Sequence, residues 1–184
     1  MIVITLVGIL TVLVIPNANS GIHDQLQSAA DVIAADVAYA RSLAVTNSSK
    51  YRLTFDADQN LYVLQHSGTN ATLANLPSSP FRSSQEAATT QTVRLADLPH
   101  LGSAAKLVGV YSMGSSSAVV TDLEFGPLGE STRGEETVIW LSAGKATARR
   151  FLSIRVNPVT GLSWIEGFQA TVPAVVASLS SSSL

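Results

Sequence analysis

The chain opens MIVITLVGILTVLVIPNANSG, and residues 2 to 15 contain no charged side chain. Directly beyond them, Ile22, Leu26, Ala29, Ile33, Val37, Ala40 and Ala44 recur at steps of three and four, which is one face of a helix. The first segment is apolar on every side and needs burial on every side; the second needs burial along one stripe only. A single helix over residues 2 to 46 is about 68 Å long at 1.5 Å per residue, too long for a globule built from 184 residues to cover. The striped half can rest on the domain that follows, and the apolar half must be embedded in something else. A membrane span takes roughly 20 apolar residues, and a run of 10 to 14 more often marks a signal-peptide core or a buried helix. The run here falls between those cases, and Pro16 can bend whatever helix arrives at it.

Asp24, Asp31 and Asp36 lie off the stripe and toward its start, whereas Arg41 is near its end, an order that agrees with the helix dipole. The helix is expected to stop near Asn47, Ser48 and Ser49. After it the period drops to two. KYRLTF (50–55) and LYVLQ (61–65), joined by Asp56, Ala57, Asp58, Gln59 and Asn60, read as a hairpin. Further strands are expected at 92–95, 106–111, 118–125, 137–141, 150–156 and 162–166, with FGPLGE (125–130) and NPVTG (157–161) as turns. Short antiparallel strands at this spacing suggest a sandwich or a pair of small sheets, so the fold class is α+β. Residues 66 to 104, rich in Ser, Thr, Ala and Pro, read as a surface excursion holding one short strand, and VASLSSSSL as a frayed tail.

Composition narrows the chemistry. Charged residues are 13% of the chain, the net charge is -2, and no segment collects Lys and Arg, so nucleic acid is not an expected partner. The absence of cysteine removes disulfides, thiolate catalysis and Cys-based zinc sites together. His23, His66 and His100 show no i, i+4 pairing and no carboxylate at ligand spacing. Asp56, Asp58 and Asn60 imitate the start of a calcium loop, but Leu61 stands where that loop needs glycine and Ser67 where it needs glutamate, so a hairpin turn is the reading. No serine sits in a G-x-S-x-G elbow. SAGKAT lacks the upstream glycine and the following hydroxyl residue of a phosphate loop and reads as a turn. Asn47-Ser48-Ser49 and Asn70-Ala71-Thr72 match a glycosylation pattern that is frequent in such chains and are assigned nothing. Arg149 and Arg150, the one basic doublet, read as a solvated strand edge that discourages edge-to-edge pairing. No catalytic, cofactor-binding or metal-binding residue is expected.

ITLVGILTVLVIPN resembles the membrane half of the N-terminal helix of type IV pilins and pseudopilins, in which an aliphatic stretch with one glycine, here Gly8, ends in Pro-Asn, here Pro16 and Asn17. The order that follows, DVAYARSLAVTNSSKYRLTF, LEFGPLGES, TVIWLSAG and RFLSIRVNPVTGLSWI, is similar to minor pseudopilins of the GspH/FimT type, with an F-x-P-x-G-like loop and a P-x-T-G turn. The resemblance covers residues 1 to about 166 and leaves the excursion and tail unmatched. It implies a pilin-like α+β fold in four parts: residues 1–16 as the membrane or filament-core half of the helix, 17–48 as its amphipathic half, 49–168 as a β-rich periplasmic domain, and 169–184 as a tail.

In that family a basic leader ends in glycine, a prepilin peptidase cuts after it, and the mature protein begins with a methylated phenylalanine followed by a glutamate. This sequence starts inside the apolar run and carries none of those residues, so a misplaced start codon or a truncation is expected; half a dozen more residues would bring the run to roughly the 20 of a span. The resemblance implies a non-enzymatic subunit of a type II secretion pseudopilus. Its expected partners are other pseudopilins through the N-terminal helix, inner-membrane lipid, secreted cargo, and the prepilin peptidase acting on the precursor; no cofactor is expected. Two alternatives stay open: a minor pilin of a type IV pilus, and a secreted β-sandwich cleaved after Ser20, where Ala18-Asn19-Ser20 offers small residues before Gly21.

Overall fold

A computed structural model of the chain describes residues 18–77, 87–98, 105–115 and 117–181. The apolar run, Pro16 and His100 lie outside the described residues. Helix α1 (Ala18–Thr46) is rich in alanine, with neither Gly nor Pro beyond Gly21, which suits a long helix. Its stripe is buried as expected: Leu26, Ala29, Ile33, Val37, Ala40 and Ala44 are inaccessible to solvent and Ile22 packs against the same core, joined by Ala30 and Leu43. The helix stops where Ser48 turns left-handed (φ 46°) and the Ser49 N–H reaches back to the Ala44 carbonyl at 3.0 Å. Asn47 Nδ2 completes the stop, donating to the Leu43 carbonyl at 3.0 Å and to Tyr51 Oη at 2.9 Å.

Nine strands follow among the described residues: β1 (Tyr51–Asp56), β2 (Leu61–His66), β3 (Thr90–Arg94), β4 (Lys106–Met113), β5 (Ala118–Val120), β6 (Asp122–Phe125), β7 (Glu136–Ala143), β8 (Arg150–Val156) and β9 (Ser163–Ile165). They form two antiparallel sheets, ordered β3-β2-β1-β6 and β5-β4-β7-β8-β9. The stretch expected as one strand over 118–125 is two, in different sheets, because the chain bends at Thr121. Val120 pairs with Val110 in the second sheet, Asp122 pairs with Thr54 in the first, and the Thr121 carbonyl accepts the Phe55 N–H at 2.7 Å across the join. That bend turns two sheets into one wrap around α1, which lies against β1 and β6 on one side and β7, β8 and β9 on the other.

Three further expectations need correction. The 66–104 excursion is more than surface: Leu76, Gln91 and Leu95 are buried, and β3 lines the first sheet's edge. The tail read as frayed forms helix α2 (Ala174–Ser181), whose Val176 is buried with Tyr111, Val138 and Trp140 on the outer face of the second sheet. Arg149 ends the turn before β8 and Arg150 opens that strand, which is flanked by β7 and β9; the edges of its sheet are β5 and β9, so an anti-pairing role does not fit the doublet.

Where α1 meets the first sheet, Tyr62 Oη donates to Asp36 Oδ2 at 2.5 Å. Burial raises the Asp36 carboxyl above its usual 3.8, with the Tyr62 bond acting in the opposite sense, and burial followed by the Asp36 charge drives the Tyr62 hydroxyl well above 10.0. Folded Asp36 therefore keeps its proton to higher pH than the unfolded chain does, so its contribution to stability is fullest in acid and is lost as the pH rises through the raised value. Asp36→Asn, which keeps an acceptor for Tyr62, should raise the urea midpoint relative to the parent chain at about pH 7, and the gap should shrink toward about pH 4. A gap that widens in acid contradicts this linkage.

Candidate assembly surface

Two turns meet at the last part of α1. In the turn after β6, the Gly126 N–H donates to the Glu130 carbonyl and the Gly129 N–H to the Gly126 carbonyl, both at 2.9 Å, while the Glu130 carboxylate accepts the Leu128 N–H at 3.0 Å. In the turn after β8, Asn157 Oδ1 accepts the N–H groups of Val159 and Thr160 at 2.9 Å each, and the Gly161 N–H returns to the Asn157 carbonyl at 2.8 Å. The Ser131 N–H bonds the Pro158 carbonyl at 2.9 Å and ties one turn to the other. Arg41, half-buried on the helix flank, closes the set: its Nε lies 2.7 Å from the Thr160 carbonyl and 3.2 Å from the Gly129 carbonyl. Both glycines have positive φ, 84° at Gly129 and 65° at Gly161. A Cβ at Gly161 would stand 1.9 Å from the Gly129 oxygen, and one at Gly129 would stand 2.9 Å from Val45 Cγ2. Close approach, as much as backbone freedom, demands glycine at each.

This clasp displays apolar side chains instead of burying them. Leu128 at its tip is 85% exposed and Val159 79% exposed, with Val45, Leu162, Trp164 and Phe168 also exposed. Apart from Val119, every exposed large hydrophobic side chain among the described residues belongs to the end of α1, the turn after β6 or the segment 159–168. Around the end of α1, Val45, Leu128 and Val159 form an apolar surface held by a dense hydrogen-bond net, as suits a contact surface, whereas Trp164, next to the core-facing Ile165 on β9, points away from the helix. Beside it, the outward face of α1 presents Asp24, Ser28, Asp31, Ala35, Ala38 and Ser42, mostly small side chains that let a neighbour approach closely.

The residues weighed for chemistry in the sequence are occupied otherwise. His23 stacks on Phe168 with ring centroids 4.5 Å apart, and His66 Nε2 is 2.7 Å from Ser49 Oγ. Asp56 Oδ1 accepts the Gln59 N–H at 2.8 Å within the hairpin turn, the Asn60 side chain ties that turn to the start of β4 through the Ala105 carbonyl and the Leu107 N–H at 3.0 and 2.8 Å, and Asp58 faces solvent. Asn70 Oδ1 caps a 3-10 turn at Ala71–Leu73. SAGKAT is the β7–β8 turn, with Gly144 at φ 87°. No group of three or more His, Asp or Glu at metal-binding distance occurs among the described residues. A cleft of about 710 Å³ opens where the sheets part near Thr121; among the described residues its carboxylates are Asp56 and Asp58, and neither histidine nor serine lines it.

A long N-terminal helix clasped by two small antiparallel sheets, with two glycine turns locked onto its end, defines a pilin-like α+β fold. Among solved structures the chain is similar to the minor pseudopilin EpsH from the type 2 secretion system of Vibrio cholerae, with TM-score 0.50 and 10% identity over 78% of this chain and 97% of that one. It is also similar to the type IV minor pilin FimU of Pseudomonas aeruginosa in two crystal forms. Those matches have TM-scores of 0.47 and 0.46 and 18% and 20% identity, over 83% and 81% of this chain and 95% and 98% of that one. No protein-family model matches the sequence, and no curated protein matches it.

Arg41 makes charge-assisted bonds to two carbonyls at a partly exposed site, so Arg41→Ala should cost about 1–2 kcal/mol of unfolding free energy. Gly161→Ala, both crowded and strained, should cost about 2 kcal/mol or more. Urea unfolding followed by tryptophan fluorescence measures both, and an unchanged midpoint in either variant contradicts the clasp.

Proposed function

We propose that this chain is a minor pseudopilin of a type II secretion system, a structural subunit anchored in the bacterial inner membrane with its β-rich domain in the periplasm. The observation that carries the reading is the division of labour along one helix. The domain takes up the buried stripe from Ile22 to Ala44, and the sequence just before it is an uncharged aliphatic run over residues 2 to 15 that offers no polar face for solvent. No helix among the described residues is long and apolar enough to cross a membrane, so anchoring rests on that run. In lipid it satisfies its backbone hydrogen bonds as a helix. Once subunits leave the bilayer, neighbouring helices bury the same surface at about 25 cal/mol per Å² of apolar area.

On this reading residues 1–16 serve the membrane and filament core, 17–48 join that core to the domain, and 49–168 are displayed outward, touching other pilin-like subunits or cargo through the flank around Leu128 and Val159. A minor pilin of a type IV pilus is the alternative, since the same fold serves both. Deleting the gene in its host decides between them: loss of protein export with surface fibres intact supports the pseudopilin, whereas loss of fibres with export intact supports the pilin. A mature N-terminus at Gly21 in the native protein would overturn both in favour of a secreted β-sandwich.

The paired substitution Leu128→Ser, Val159→Ser should leave the stability of the isolated subunit within about 0.5 kcal/mol, because both side chains already face water. It should weaken in-cell cross-linking to neighbouring subunits severalfold. Unchanged cross-linking removes this flank from the assembly.

A further inference from the structure

We propose that the β7–β8 turn is a cationic foot by which the domain rests on anionic lipid headgroups; this rests on the reading that residues 2 to 15 enter a membrane. Lys145 and Arg149 are exposed in this turn, Arg150 is half-buried at its end, and Lys106 is exposed at the start of β4 opposite Ser142, at the same end of the sheet. None of the four is in an ion pair with a described residue. Of the carboxylates on the second sheet, Glu166 is committed to Arg155 and Ser153, and Glu136, which also pairs with Arg155, lies at the far end of β7 from this turn; Asp24 is exposed on α1 at the level of the turn.

The turn has a set shape. Gly144 and Ala146 both have positive φ, 87° and 47°, and Arg150 Nη1 donates to the Thr147 and Arg149 carbonyls at 3.1 and 2.8 Å. Left-handed backbone at a non-glycine residue is maintained only where the surroundings hold it.

Its position identifies the partner. Phe168 stacks on His23, and the next residue, Gln169, exchanges both backbone bonds with Phe151 at 2.8 Å, which places Arg150 and the turn level with the start of α1. His23 follows Ile15 by eight residues, a rise of about 12 Å were all of that stretch helical at 1.5 Å per residue. Long basic side chains at that height fall within roughly one Debye length of a headgroup layer at low ionic strength. The cations are therefore gathered at the end of the domain that meets the membrane, on a chain whose net charge is -2. An anionic surface rewards each nearby Lys or Arg by about fivefold in population.

The chain has no cysteine, so Thr147→Cys gives a single dye position in the full-length protein. Energy transfer from that dye to headgroup-labelled lipid is measured in nanodiscs of neutral phosphatidylcholine and in discs with about 30% phosphatidylglycerol. Transfer should rise at least about twofold in the anionic discs, and return to the neutral value in about 0.5 M NaCl or with Lys145→Gln, Arg149→Gln and Arg150→Gln together. Lys145→Gln with Arg149→Gln, which spares the turn bonds of Arg150, should lose most of the gain with the tryptophan emission unchanged. Equal transfer in both discs, or a gain indifferent to the substitutions, overturns the foot. Flotation with neutral vesicles in high salt separates this from the anchor: a chain that floats only with anionic vesicles, through these cations, loses the anchor and keeps the foot, and one that floats with neither loses both.

Discussion

The stripe from Ile22 to Ala44 is the surface around which the molecule closes. On its inner face, neither sheet has a core apart from α1. The inward residues of β1, β2 and β6 and those of β7, β8 and β9 meet across α1, in one continuous cluster that includes Ile33, Leu53, Leu123, Ile139 and Ile154. Alanines at 29, 30, 40 and 44 let both sheets approach the helix backbone closely, and the bend at Thr121 lets one polypeptide supply adjacent edges of both sheets. A helix buried this way is committed along one face over most of its described length and cannot slide without uncovering both sheets.

That commitment is enforced by polar contacts at the two flanks of the helix. Toward the first sheet, Tyr62 reaches Asp36; toward the second, Arg41 holds two turns whose glycines are nearly in contact. Outside the first sheet, Glu124 is buried although it points away from the core, because Arg52 covers it at 2.7 Å and Lys50 lies at 3.7 Å, while Arg133 joins Asp122 at 2.6 Å in the same network. The rigid turns leave Leu128 and Val159 in water, a cost that a subunit made to touch neighbours recovers on assembly.

Much of this architecture was legible in the sequence, since its periodicities are local. The helical stripe, the stop near Asn47 and seven of the eight expected strands coincide with observed elements to within two residues at either end. The bend at Thr121 was not legible, because alternation runs on unbroken through a change of sheet: Val119 and Thr121 face water before the bend, Leu123 and Phe125 the core after it. Nor was the role of Arg41, which the sequence placed only in a dipole; its acceptors lie 88 and 119 residues away. Helix α2 hid in a serine-rich tail, since burial of Val176 depends on Trp140 and Tyr111 facing outward from their sheet. The loops FGPLGE and NPVTG were visible as motifs, whereas their mutual contact was not.

The proposed role requires the apolar run and α1 to act as a single stalk, clasped at one end and left for lipid or sister stalks at the other. Sedimentation of the intact chain, first twenty residues included, tests it most directly. In detergent the protein should sediment as a single subunit, and on removal of detergent it should associate or leave solution. A full-length chain that stays a freely soluble monomer in plain buffer contradicts the account.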